Sequence, residues 1–305
     1  MKVSAANLLK RMYAHKYVYL LVLPLAAFYI IFSYIPMYGI SLAFKTFNYS
    51  LGITGSPWNN FQNFKEVLTE PLFFRAFRNT CLISLGRLVI EFPIPIVLAL
   101  LLNEISKYRL KRIYQTIFTF PHFLSWVIMS GILINMLSDR GVVNQILEAM
   151  GKDKNRILME PVNFVALVFG SNIWKEAGWS TILYLASIAG INPELYEAAT
   201  VDGANRWQQV WVITWPTIQN TALILLILAV GNTMNGGFDQ IFNMYNPTVF
   251  KYGDIIDTYV YRSAFRDSTG FGFTTTVGFM KSIVNFALLF GANKVVRLMG
   301  SEGLL

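Results

Sequence analysis

The sequence holds a single cysteine, Cys81, so it has neither a disulfide framework nor a cysteine-based metal site. Its two histidines, His15 and His122, stand far apart with no ligand spacing, and no zinc centre or catalytic histidine is expected from them. No G-x-x-x-x-G-K-[ST] phosphate loop occurs, nor a G-x-S-x-G elbow or an H-E-x-x-H pair. The chain is therefore expected to be no enzyme and to bind no ATP or metal of its own. Charge is also scarce: Asp, Glu, Lys and Arg make up 14% of the 305 residues, against about 25% in ordinary soluble domains. No 20–50-residue period repeats and no low-complexity tract appears, which points to one membrane domain, residues 17–305, behind a basic segment, 1–16.

Apolar side chains, by contrast, are abundant. Hydrophobic residues reach 54% and the mean hydropathy is +0.46. The net charge of +8 would suit nucleic acid, but the basic residues gather beside apolar runs, where they act as topology signals. Lys2, Lys10, Arg11, His15 and Lys16 precede the first run, from Tyr17 to about Phe44. That run is too long for a signal peptide core. A second span is expected from Phe77 to Asn103, a third from Ile113 to Leu137, a fourth from Val162 to Gly190 and a sixth from Phe273 to Val296. The fifth starts near Ile218 and loses its apolar character by Val230, so its ~13 residues cover only about 20 Å. Lys107, Arg109, Lys111 and Arg112 place the second loop inside, and Lys294 and Arg297 mark an inner end. About six spans with both termini cytoplasmic satisfy every charged loop. Residues 45–74, with a weak apolar face of Phe61, Phe64 and Leu68, and residues 238–270 then fall outside.

Five charges interrupt the spans: Arg87, Glu91, Lys175, Glu176 and Lys281. Counted back from the inner ends at ~1.5 Å per residue, they share one layer on the order of 20 Å above the cytoplasmic face. Charges at that depth face protein or water rather than lipid. Arg87 and Glu91 are four residues apart and suit an intrahelical pair, and Lys281 is a partner for Glu176. Two readings stand, a structural ion-pair network or the lining of a hydrophilic path. A second polar set comprises Asn172, Trp174, Trp179, Asn232, Asn235 and Asp239. Carboxamides, carboxylates and aromatic rings suit sugar hydroxyls and pyranose faces; equally, the tryptophans suit interfacial anchoring and the asparagines a solvated helix end. Asp239 and Tyr245 also suit contact with a docked external protein.

The most ordered polar stretch is NPELYEAATVDGANRWQQVWVITWP, from Asn192 to Pro216. Asn192 is placed to cap a helix opened by Pro193 and favoured by Glu194. Leu195, Ala198 and Ala199 give it a small apolar face, and Asp202 with Gly203 ends it. A second short helix is expected from Ala204 to about Ile213, carrying Trp207, Val210 and Trp211, so that two short helices joined at a glycine make a cytoplasmic knob.

The order Glu197, Ala198, Ala199, then Asp202, Gly203, Ala204, then Ile213 and Pro216 resembles the EAA coupling loop of membrane subunits of binding-protein-dependent ABC importers. Trp215 departs from the leucine usual there. YLLVLPLAAFYIIFSYIPMYGISLAF (19–44), FPIPIVLALLLNE (92–104), FPHFLSW (120–126), IWKEAGWSTILYLA (173–186) and DTYVYR (257–262) extend the likeness to permeases for complex oligosaccharides and polysaccharide fragments, the LplB-like branch of the maltose-permease type. The resemblance implies an all-α type I ABC importer transmembrane domain in the bacterial cytoplasmic membrane. It implies a heterodimer with a second related permease, two ATP-binding subunits that hold ATP and magnesium, an external solute-binding protein and an oligosaccharide cargo. It further implies alternating access, with the knob seated on the ATPase. A proton-coupled secondary transporter that uses the buried charge layer is the alternative, and a sensory subunit that moves no solute is a third reading.

Overall fold

The computed structural model describes residues 14–265 and 270–298, and the residues described are almost all helical. Lys2, Lys10 and Arg11 lie outside them. Two compact units are formed, one by residues 14–69 with 270–279, the other by 70–265 with 280–298.

In the first unit, helix α1 (Lys16–Phe44) presents apolar side chains on every side, as a lipid-facing span does. Its last carbonyls, which have no helical partner, are met by Asn63: the amide nitrogen donates to Leu42 O, Ala43 O and Lys45 O at 3.3, 3.0 and 3.1 Å. Asn63 sits on helix α2 (Gln62–Thr69), where Asn63 and Val67 are buried. The expected face of Phe61, Phe64 and Leu68 is thus corrected, since Phe61 and Leu68 are exposed. The carbonyl-capping asparagine, not the apolar pattern, decides which side of α2 turns inward.

The second unit contains α3 (Pro71–Asn103), α4 (Tyr108–Thr119), α5 (Trp126–Leu137), α6 (Val142–Ala149), α7 (Pro161–Ala189), α8 (Pro193–Val201), α9 (Arg206–Gly231), α10 (Phe238–Met244) and α11 (Ile256–Phe265). The last helix, α12 (Phe271–Leu298), belongs to it from residue 280 onward. Among the described residues α1, α3, α5 with α6, α9 and α12 are long and apolar enough to cross a membrane. Helix α7 is as long, 29 residues, but Asn172, Lys175 and Glu176 interrupt its apolar run.

Prolines explain the irregular turns. Ile30–Tyr34, Arg87–Glu91 and Val210–Thr214 each form a widened turn, and each ends two residues before a proline, Pro36, Pro93 or Pro216. A proline supplies no N–H and its ring crowds the carbonyl four residues back, so the helix opens locally rather than breaking. In α3 the amide of Phe92 reaches Arg87 O at 3.0 Å.

Two sequence expectations are corrected here. The third span, expected as one helix from Ile113 to Leu137, is broken: after α4 the Phe120–Phe123 segment tightens, Leu124 and Ser125 are extended, and Ser125 Oγ caps α5 by accepting from Ile128 N at 3.3 Å. Pro121 in a short turn followed by a capping serine accounts for the break. The fifth span is not short, because α9 starts at Arg206 and runs unbroken through Pro216 to Gly231, 26 residues in all. The second knob helix is therefore the first part of that span, not a separate element.

Two of the packed clusters among the described residues bear on the site. Ile83, Phe164, Val168, Ile241, Met244, Val249 and Ile255 form one, so the segment after α9 folds into the core instead of hanging as a loop. Ile96, Ala99, Tyr184, Ile188, Ile191, Ile218 and Ala222 form the other, at the end of α7 that leads into α8.

Candidate functional site: a braced knob and a polar cavity

At the knob, Asn192 Oδ1 accepts from Glu194 N at 3.1 Å and Pro193 occupies the first turn of α8. The helix ends at Gly203, whose φ of 79° suits a residue without Cβ. Asn205 then opens α9 with a reciprocal box: its side chain accepts from Gln208 N at 3.0 Å and its own N–H donates to Gln208 Oε1 at 2.7 Å. Gln209, buried between the two helices, donates to Thr200 Oγ1 at 3.0 Å and Ala204 O at 3.3 Å. Tyr196 and Thr214 share a hydroxyl bond of 2.9 Å. Tyr196, Ile213 and Trp215 also pack on the Tyr184–Ile218 cluster. Glu197, Ala198, Asp202 and Pro216 remain exposed while Ala199, Ala204 and Ile213 are half-buried. The knob is thus a rigid relief with an exposed acid and small side chains on its crest, fastened by its base to the spans.

Within the same unit α3, α7 and α9 enclose a cavity of about 330 Å³. Arg87, Glu91, Asn172, Glu176, Asn232 and Asn235 line it together with Ser84, Tyr184 and Gly236. Arg87 Nη2 donates to Gln240 Oε1 at 2.6 Å, and Gln240, wholly buried, donates to Val168 O at 2.6 Å and Ser171 Oγ at 2.8 Å. Glu91 Oε2 accepts from Asn172 at 2.5 Å. Arg87 and Glu91 approach to 4.0 Å, and Arg87 Nε and Glu91 Oε1 have no hydrogen-bond partner among the described residues. One end of the cavity is formed by the turn between α9 and α10. There Asn285 Nδ2 donates to Gly231 O at 2.6 Å, Ser84 Oγ donates to Thr233 O, and Gly237 at φ 83° lies so close to Arg87 that a Cβ would stand 2.4 Å from Nη2.

Behind this wall lies the break between α4 and α5. His122 Nδ1 is 2.7 Å from Glu176 Oε2, and Lys175 Nζ donates to Glu176 Oε1 and to the free carbonyl of His122, both at 2.8 Å. The Trp179 ring stacks on His122 with centroids 4.3 Å apart. A lysine thereby satisfies backbone that leaves the helical ladder, as interrupted spans require.

The sequence-derived sets are therefore regrouped. Arg87, Glu91 and Glu176 meet Asn172, Asn232 and Asn235 at one cavity, so the two sets are one. Lys281 does not reach Glu176; it pairs with Asp257 at 2.6 Å, because α11 supplies a nearer carboxylate. Trp179 serves the His122 stack, Trp174 lines grooves away from the cavity, and Asp239 is exposed on α10. His122 and Gln240 were missed. The proline and polar residues of FPHFLS inside an apolar run are the signal for His122, whereas nothing in the sequence singles out Gln240.

Residues 91–298 match the model of a family described as the binding-protein-dependent transport system inner membrane component. The chain belongs to this family. It is a membrane permease of the ABC importer type, with the fold that the coupling loop implied. It is 40% identical over 304 residues to the polygalacturonan/rhamnogalacturonan transport system permease protein YteP of Bacillus subtilis (strain 168), covering 99% of this chain and 94% of the relative. Protein LplB of the same organism is 40% identical over 290 residues, 95% of this permease and 91% of LplB. Among solved structures it resembles a chain from the crystal structure of a bacterial ABC transporter involved in import of the acidic polysaccharide alginate, with a TM-score of 0.88, 37% identity, and coverage of 95% and 98%. A second alginate transporter structure, in complex with a periplasmic protein bound to an alginate pentasaccharide, gives a TM-score of 0.88 at 36% identity, covering 97% and 99%.

Proposed function

We propose that this permease moves a uronic-acid-containing oligosaccharide, released from an acidic polysaccharide, across the bacterial cytoplasmic membrane. The observation that carries the reading is the cavity itself, where a guanidinium and a carboxylate stand among carboxamides. Such a wall offers donors to sugar carboxylates and hydroxyls and an acceptor to hydroxyls. The names of the 40% identical YteP and of the alginate transporters support the same cargo class.

In this reading the chain pairs with a second, related permease and two ATP-binding subunits, which hold ATP and magnesium, while the chain itself holds no cofactor and is no enzyme. An external solute-binding protein delivers the sugar. Both termini and the knob face the cytoplasm. The exposed Glu197, Ala198 and Asp202 seat on the ATPase, and closure of the ATPase pair presses the knobs together and turns the cavity outward. Family membership removes the ground for the proton-coupled alternative.

The test is ATP hydrolysis by the reconstituted complex with its binding protein. Oligogalacturonate or oligomannuronate is expected to stimulate hydrolysis, while neutral maltooligosaccharide of equal length is not. Equal stimulation by both would remove the acidic-sugar reading. Arg87→Gln is expected to weaken stimulation by the acidic sugar while leaving basal hydrolysis intact.

A further inference from the structure

A second cleft, of about 800 Å³, opens at the end of α7 farther from the knob, and its walls come from α5, α6, α7 and the 150–157 loop. Its chemistry changes with depth. At the mouth stand Lys152, Asp153, Lys154, Arg156 and Glu160; deeper down the wall is Met129, Leu133, Leu167, Gly170 and Trp174. Two of the mouth charges are engaged, Lys154 with Glu148 at 3.9 Å and Glu160 with the Asn163 amide. Lys152 and Arg156 have no such side-chain partner among the described residues and outnumber the one remaining acid, Asp153. The loop that presents them is held in place by buried Asn144, which donates to Ser138 O at 3.0 Å and Asn155 O at 2.9 Å and accepts from Asn155 N at 2.6 Å.

The depth matches one leaflet. From Pro161 at the mouth to Gly170 and Trp174 is nine and thirteen residues along α7, or ~14 and ~20 Å at 1.5 Å per residue. Half of a ~30 Å hydrocarbon core is ~15 Å. No atom stands within 4 Å of a Cβ placed on Gly170, so the floor is open rather than filled by a neighbouring side chain. We propose that this cleft binds an anionic phospholipid, its phosphodiester between Lys152 and Arg156 and one acyl chain against Leu133, Leu167, Gly170 and Trp174. A sugar fits the mouth and finds one ring to stack on, Trp174, but Met129, Leu133, Leu167 and Gly170 give its hydroxyls no partner, and the Ser171 hydroxyl is already bonded to Leu167 O and Gln240. A neutral lipid fits the wall but leaves the cations unmatched. The inference uses only the membrane-spanning fold and does not depend on the cargo.

The test is native mass spectrometry of the full transporter complex released from nanodiscs of equal phosphatidylglycerol and phosphatidylcholine. Retained phosphatidylglycerol is expected to exceed phosphatidylcholine in the wild type. The excess should fall about fivefold for each of Lys152→Gln and Arg156→Gln, since a juxtamembrane cation is worth about that factor in anionic-lipid binding. Gly170→Phe, which fills the floor, should abolish retention with both cations present, and Lys107→Gln on the opposite loop should not change it. Retention that mirrors the nanodisc composition, or that survives all three cleft variants, would overturn the proposal. So would displacement of the lipid by free glycerol phosphate, which would indicate a headgroup site only, or by trigalacturonate, which would make the cleft a sugar site.

Discussion

Gly178 offers the sharpest test of the packing that holds the broken span against α7. A Cβ on Gly178 would stand 2.1 Å from the carbonyl oxygen of Phe118 and 2.2 Å from its carbonyl carbon. Both are backbone atoms of α4, one turn before the break, so no side chain can swing aside. Non-bonded carbon and oxygen settle near ~3.5 Å, so Gly178→Ala must push α4 and α7 apart by more than ~1 Å, against a contact that α4 shares with the His122 turn. Overpacking of this kind costs about 1–3 kcal/mol. At about 2–4 °C per kcal/mol for a chain of this order of size, the melting temperature of the purified permease should drop by roughly 2–12 °C. Gly170, two turns earlier on the same helix, is the control. Nothing lies within 4 Å of its added Cβ, so Gly170→Ala should be neutral or stabilising by up to ~1 kcal/mol through helix propensity alone. Thermal denaturation followed by size-exclusion recovery in detergent reads both. Equal shifts for the two alanines, or none at Gly178, would refute the claim that backbone contact, and not glycine content, sets this crossing.

Gly203→Val places a β-branched side chain at φ 79° in open space; the strain alone, about 1–2 kcal/mol, should loosen the knob turn and reduce co-purification of the ATPase while the permease still folds. Glu197→Ala, at an exposed site, should lower sugar-stimulated ATP hydrolysis with no change in melting temperature, and normal stimulation would remove Glu197 from the docking surface. Arg262→Ala strips wholly buried Asp254 of bonds at 2.7 and 3.0 Å and leaves it Thr258 at 2.9 Å and the Arg75 cation at 4.0 Å; the cost should fall below the ~3–5 kcal/mol of a buried charge stripped of its partner, and adding Asp254→Asn should recover part of the melting temperature. Asn205→Ala removes the reciprocal box that starts α9 and should cost about 0.5–2 kcal/mol, read as increased amide exchange over residues 203–209.

The parts of the fold that the sequence discloses are those with a local cause. Span limits followed from apolar length, and α3, α7 and α12 begin and end within a few residues of expectation apart from the early start of α3 at Pro71. The cap at Asn192 and the turn at Gly203 followed from side-chain chemistry that acts over three or four residues. What was not legible depends on distant partners. Lys281 chose Asp257 over Glu176 because α11 folds back beside it, and no spacing along the chain encodes that approach. The interruption of the third span was readable in principle, since Pro121 and Ser125 mark it, but Leu and Phe around them kept the hydropathy high. The fifth span falls short in the sequence reading because Ala204 to Ile213 reads as a separate short helix that ends before Pro216, whereas one helix runs from Arg206 through Pro216 to Gly231.

Under the proposed function, a push at the knob has a packed route to the cavity. Tyr184 belongs to the cluster on which Tyr196, Ile213 and Trp215 rest, and the same residue lines the cavity. Close-packed side chains do not absorb displacement gradually, so movement of α8 relative to the membrane must be taken up by a shift of α7 or α9. Both helices form cavity walls. The widened turn at Val210–Thr214 lies between the knob and those walls, with Val210 and Thr214 buried and Thr214 bonded to Tyr196 of α8 at 2.9 Å. At the far end the turn after Gly231 is tied to α3 by Ser84 and to α12 by Asn285. Displacement of α8 is thus passed to α9 through Thr214 and the packed Ile213 and Trp215, and it moves the wall that α9 forms against ends held at Ser84 and Asn285. The proline at 216, in the first turn after the wide segment, keeps that turn wide, since its nitrogen carries no N–H to close the regular helical bond there.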